Sequence, residues 1–126
     1  MDPENTFADL KKRSQNFIQN SQWSKFHSPK NIAVGIAVEA AELLDTLQCL
    51  TVNQSFIMKS EQQRLEKIKH ETADILHFLI RLANILNFDL VDTFYSKMEE
   101  NEKKYATKTG ENSVTKYPGL PHAPRT

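Results

Sequence analysis

A chain of 126 residues and 14.5 kDa, with 32 Leu, Ile, Val and Phe side chains, carries apolar surface for one modest core and not for two. Sixteen basic residues balance sixteen acidic ones, so charge predicts neither a nucleic-acid polymer nor an anionic membrane as partner, and no apolar run reaches the roughly 18 residues of a membrane span. Three glycines cannot build a phosphate-cradling loop, the lone Cys49 excludes an internal disulfide, and the N-terminus lacks a signal-peptide core; a cytoplasmic, mostly helical protein is expected.

Four segments carry the helical apolar period. The first is expected from Thr6 to Asn20, with Thr6 and Asp9 as a capping box and Phe7, Leu10, Phe17 and Ile18 along one face. A polar linker holding Trp23, Phe26 and His27 follows. Ser28 as N-cap and Pro29 at the first helical position start a second helix, predicted to reach about Leu50 through Ile32, Ile36, Ala40, Leu43 and Leu47. Thr51 to Ser60 is predicted to be a connection. A third helix takes Glu61 to Leu86 and stops at Asn87, which tolerates a left-handed backbone. Asp89 caps a fourth, ending near Tyr105, with Val91, Phe94, Tyr95 and Met98 expected inward. Residues 106–126 read as an extended tail of a single domain spanning 1–126. The fold class is all-α, a four-helix bundle. Val34 and Val38 lie opposite the main stripe of the second helix, which predicts that a second subunit covers them.

Four acids sit where apolar residues belong. Glu39 and Glu42 are spaced i, i+3, as are Glu71 and Asp74. At about 100° per residue, Glu39 falls within the arc of Ile32, Ile36 and Leu43, and Glu71 in the middle of the arc of Ile68, Ile75, Phe78 and Leu82. Glu42 and Asp74 flank them. Burying clustered carboxylates requires raised pKa values, basic partners or a cation. Lys59, Lys67 and Lys69 point mainly to solvent by this spacing. Four oxygen donors on two facing helices suit a hard divalent ion, Mg²⁺ first and Mn²⁺ second. Neither pair ends in histidine, as a di-iron bundle would require. His70, Asp74, His77 and Arg81 form a further stripe on the third helix, read as polar border residues.

The pattern Glu39-x-x-Glu42, 28 intervening residues, then Glu71-x-x-Asp74 resembles the MazG-like all-α nucleoside triphosphate pyrophosphohydrolases. The run Trp23-Ser-Lys-Phe26-His27-Ser-Pro29-Lys30-Asn31 is similar to the lead-in to the first metal helix in the dCTP-pyrophosphatase branch. Asp74-Ile-Leu-His-Phe78-Leu, Asp89-Leu90, Lys97-Met98, Asn101, Lys104-Tyr105 and the tail's Gly110 and Lys116-Tyr117 extend the likeness over residues 7 to 120. The resemblance implies hydrolysis of a (deoxy)nucleoside triphosphate between the α and β phosphates, house-cleaning of nucleotide pools, and a dCTP-like or non-standard base. It also implies Mg²⁺ held by Glu39, Glu42, Glu71 and Asp74 in a homodimer or homotetramer. A carboxylate not fully committed to metal can take the proton of the attacking water; Glu42 is the first candidate and Glu39 the second.

Lys97, Asn101 and Lys104 form a donor stripe, with Tyr105 beside it, suited to the β and γ phosphates or else to a solvated C-terminal turn. Trp23, Phe26 and His27 offer stacking surface and a polar contact for the base, with a packing staple as the alternative for Trp23 and Phe26. Phe78 is core or pocket wall, and Lys30 and Asn31 complete the expected substrate-binding set. Where cytosine-preferring relatives carry a histidine, a glycine and an aromatic residue, this chain has Ser14, Val38 and Cys49. The competing readings are a relative acting on dUTP or phosphoribosyl-ATP and, from a different class, a non-enzymatic antitoxin-like or regulatory helical dimer with a structural ion.

Overall fold

Every helix start that the sequence marks with a capping residue is a helix start in the protein. The computed structural model describes residues 5–21, 25–56 and 61–105, all helix or connection with no strand among them. Helix α1 (Phe7–Gln19) opens on the Thr6–Asp9 capping box: the Asp9 N–H donates to Thr6 Oγ1 at 3.2 Å, and the Asp9 carboxylate accepts from the Thr6 N–H at 2.9 Å. Helix α2 (Pro29–Leu47) has Ser28 as N-cap, its hydroxyl accepting from the Asn31 N–H at 3.1 Å.

Helix α2 stops three residues short of the expected Leu50. The chain tightens there, with the Leu50 N–H on the Leu47 carbonyl at 3.0 Å, because Thr51 begins a new cap. Thr51 Oγ1 accepts from the Gln54 N–H at 3.1 Å and Gln54 Oε1 from the Thr51 N–H at 2.9 Å. That reciprocal pair starts the short helix α3 (Val52–Phe56), so the expected connection is partly helical. Helix α4 (Gln62–Leu86) runs 25 residues and ends as predicted at Asn87, whose φ of 59° and ψ of 53° are left-handed.

Residues up to Phe88 form one compact unit and those from Asp89 a second. In the first, α2 lies along α4, and α1 packs against another side of α4. Ile18, Ile32, Ile80 and Ala83 are its buried apolar residues. Gly35 of α2 meets the ring of Phe78 on α4 so closely that an added Cβ would stand 3.0 Å from its Cζ. The core is thin for so apolar a chain. Val34 and Val38 are 54% and 49% exposed, and Leu10 and Phe17 leave half of the predicted α1 stripe uncovered.

In the second unit α5 (Leu90–Tyr105) starts on Asp89, whose carboxylate accepts from the Asp92 N–H at 2.9 Å. Its expected inward face is not buried. Phe94 and Tyr95 are 56% and 68% exposed, Val91 is exposed as well, and only Met98 is half-buried. Periodicity marks an apolar stripe; it does not say whether another element covers it.

Candidate metal centre

The long antiparallel runs of α2 and α4 place Glu39 and Glu42 opposite Glu71. One carboxylate oxygen from each lies within 4.8 Å of the others. Glu39 and Glu71 are half-buried, whereas Glu42 is exposed, the division their angular positions predict. Glu39 Oε2 and Glu71 Oε2 are covered from solvent and have no hydrogen-bond partner.

No Lys or Arg forms an ion pair with these three among the described residues; Lys69 is held instead by Glu66 at 2.9 Å. The Glu39 carboxyl is consequently pushed up to about 7. The Glu71 carboxyl close enough to share a proton is the largest cause, then burial and the Glu42 charge. Two buried acceptors without donors, in a knot of negative charge without a basic partner, fit a hard divalent cation. Asp74 is exposed one turn beyond Glu71 and does not fall within the 4.8 Å group.

Beside this knot the helix pair turns aromatic. Phe78, two turns after Glu71, is half-buried against Gly35, which itself lies one turn before Glu39. The His27 ring centroid is 5.9 Å from that of Phe78. Burial, then the Arg81 charge, holds His27 below its ordinary pKa. Phe26 is exposed, with the Lys25 Nζ 5.1 Å from its ring centre, and its carbonyl accepts from the Asn31 side chain at 2.9 Å. Lys30 and Asn31 occupy the exposed first turn of α2. Trp23 lies outside the described residues, as do the tail residues Gly110, Lys116 and Tyr117.

Within α5, Lys97, Asn101 and Lys104 share a stripe, as their spacing requires. Lys97 pairs with Glu100 at 3.5 Å, and the Lys104 Nζ is 5.7 Å from the ring centre of Tyr105.

Periodicity misses two features of the site. Gly35, unmarked by any motif, is the space that seats Phe78. Arg81, expected at a polar border, is only 6% exposed, and Ser14 of α1 is equally buried against the His77 imidazole.

The dUTPase family model matches residues 6–116 of the chain. The chain is 28% identical over 120 residues to dCTP pyrophosphatase 1 of Homo sapiens, covering 95% of this chain and 71% of that protein. The Mus musculus protein of the same name is 27% identical over 119 residues, covering 94% and 70%. Among solved structures, a pyrophosphatase from Archaeoglobus fulgidus is similar, with a TM-score of 0.72 and 30% identity, over 83% of this chain and 96% of that one. No described helix is long and apolar enough to cross a membrane.

Proposed function

The chain belongs to the dUTPase family of MazG-like all-α nucleoside triphosphate pyrophosphohydrolases, and we propose from that premise that it performs Mg²⁺-dependent hydrolysis of a deoxynucleoside triphosphate to the monophosphate and pyrophosphate. The observation that carries this reading is the convergence of Glu39, Glu42 and Glu71, with two buried oxygens that lack partners. These three would hold Mg²⁺, or Mn²⁺ in its place, with Asp74 as a fourth, exposed ligand. The ion supplies neutralisation of phosphate charge when bound.

The protein's own contribution is then positioning and one proton transfer. Water forms a bond to the α phosphorus while the bridging α–β bond breaks and pyrophosphate departs with its electron pair. Glu42, exposed beside the two half-buried acids, accepts the water's proton; Glu39, with its raised affinity for protons, is the second candidate. Phe78 and His27, with Trp23 and Phe26, take the nucleoside; Lys30 and Asn31 stand at the N-terminus of α2. Lys97, Asn101, Lys104 and Tyr105 grip the β and γ phosphates in this reading. A dCTP-like or non-standard deoxynucleotide fits a cytoplasmic house-cleaning role.

A homodimer or homotetramer is part of the proposal. Its support is the exposed apolar surface: Val34 and Val38 on α2, and an apolar groove of about 320 Å³ between α1 and α4 lined by Leu10, Phe17, Leu76 and Ile80. A monomer in sedimentation at micromolar concentration removes this part. The activity is tested by incubating the pure protein with each dNTP and Mg²⁺. Pyrophosphate and monophosphate without orthophosphate are expected; no turnover of any nucleotide by folded protein overturns the reading.

A further inference from the structure

The α2–α4 pair is held at its two ends by different chemistry. Among the described residues, every fully buried apolar side chain on it lies toward the start of α2 and the end of α4: Ile32, Ile80 and Ala83. The seat of Phe78 on Gly35 belongs to that end as well. At the other end, where α2 stops and α4 starts, Leu43, Leu47, Leu65 and Ile68 are only half-buried, and the one buried residue described there is the polar Thr46. The acids stand between, with Glu42 one turn before Thr46 and Glu71 two turns after Arg64.

Arg64 closes the second end. Its Nη1 donates to the Thr46 carbonyl at 2.7 Å, and its Nε donates to Glu61 Oε2 at 2.9 Å. The Thr46 carbonyl is among those that a helix C-terminus leaves without an intrahelical partner. The Leu50 N–H, which would reach it in a continued helix, bonds to the Leu47 carbonyl at 3.0 Å instead. Helix α2 also has no basic residue in its last turn to meet its negative end. Arg64 supplies both the donor and the charge from the neighbouring helix. Thr46 passes that hold toward the acids, because its hydroxyl donates to the Glu42 carbonyl at 3.0 Å. The Glu61 contact keeps the guanidinium aimed, since one planar group meets both acceptors at once.

We propose that Arg64 is a positioning residue for the metal centre, capping the C-terminus of α2 from α4 so that the turn bearing Glu42 stays wound and faces Glu71. The inference rests on the metal-dependent reading above and adds to it a residue that touches neither ion nor substrate. Loss of the cap frees the last carbonyls of α2 to water, and fraying then runs from the end inward, reaching the turn of Glu42 before that of Glu39. The Gly35 contact does not compensate, because it acts at the opposite end of the pair. Lysine replaces Arg64 only in part: an ammonium meets the carbonyl as a point charge and presents no planar fork to both acceptors.

The test compares the wild type with Arg64→Met, Arg64→Lys and Lys69→Met in the full chain. The last removes an ion pair of the same length, Lys69 with Glu66 at 2.9 Å, that stays within α4 and joins no second helix. In calorimetry with Mg²⁺ alone, Arg64→Met should weaken uptake about tenfold, Arg64→Lys by less, and Lys69→Met not measurably. At saturating Mn²⁺, the electron paramagnetic resonance spectrum of the bound ion should differ between Arg64→Met and wild type, reporting altered ligand geometry. In EDTA, the Gln48 and Leu50 amides, which bond to the last turn of α2, should exchange about fivefold faster or more in Arg64→Met. Should Arg64→Met fail to fold, Arg64→Lys decides by the same readouts. A folded Arg64→Met that melts lower yet binds Mg²⁺ as the wild type does overturns the proposal, as does an equal loss in Lys69→Met. If the wild type takes up neither ion, the metal reading fails by itself, while amide exchange in EDTA still decides whether Arg64 caps α2.

Discussion

The first unit contains two polar intrusions of opposite sign, and the contrast between them is informative. On the α2 side, Glu39 and Glu71 present buried acceptors without donors beside the exposed Glu42; on the α1 side, His77 Nε2 and Arg81 Nε are buried ring and guanidinium nitrogens without partners. Neither satisfies the other, although both are built on α4. Each leaves polar atoms at a cost of about 1–3 kcal/mol apiece, which folding alone does not reward.

The largest effect that tests the contrast is at the acidic end. Glu71→Gln should lower kcat at least about a thousandfold and abolish Mg²⁺ uptake in calorimetry, yet melt no earlier than wild type in EDTA, because removing one charge relieves carboxylate crowding. Wild-type activity in that variant would remove Glu71 from the site. The pH dependence of the metal-free protein follows next. The folded state binds a proton at Glu39 more tightly than the unfolded chain does, with a pKa of about 7 against 4.5. The stability so contributed is present below about pH 4.5 and is lost as pH rises through 7. Thermal melts in EDTA should therefore decline from pH 5 to pH 8, less steeply in Glu42→Gln, and Mg²⁺ should reverse the decline. A flat profile contradicts the shared proton.

Gly35→Ala probes the wall between the two clusters. The new Cβ, at 3.0 to 3.2 Å from three Phe78 ring atoms, must push the ring aside by a few tenths of an ångström. The helix-propensity gain of about 1 kcal/mol offsets much of that strain, so the melting temperature should move little while kcat/KM falls about tenfold. Lys97→Ala should show the smallest change, a severalfold rise in KM with kcat kept, since Lys97 is half exposed and already paired with Glu100. An unchanged kcat/KM strikes Lys97 from the phosphate stripe.

Much of this was legible beforehand. Thr6 with Asp9, Ser28 with Pro29, Asn87 and Asp89 set four of the five helices, because caps are local chemistry. The intrusion of Glu39 and Glu71 on apolar arcs was visible for the same reason that their convergence is: angle along a helix is fixed by residue number. Helix α3 escaped because five residues show no period, although its Thr51–Gln54 box was there to find. Arg81 and His77 were placed on the correct flank and given the wrong surroundings, since periodicity does not say that α1 buries that flank. The apolar face of α5 failed the other way, being marked as core while Phe94 and Tyr95 remain open.

The seat of Phe78 on Gly35 has a mechanical consequence. A flat ring resting where one rod lacks a side chain works as a detent: sliding by a single turn would drive it against Ile32 or Glu39 and stall. Axial slip between the two rods is thereby blocked one notch away from the opposed acids. Their spacing is set during folding by an uncharged contact, so an arriving ion need not spend binding energy dragging the rods into alignment.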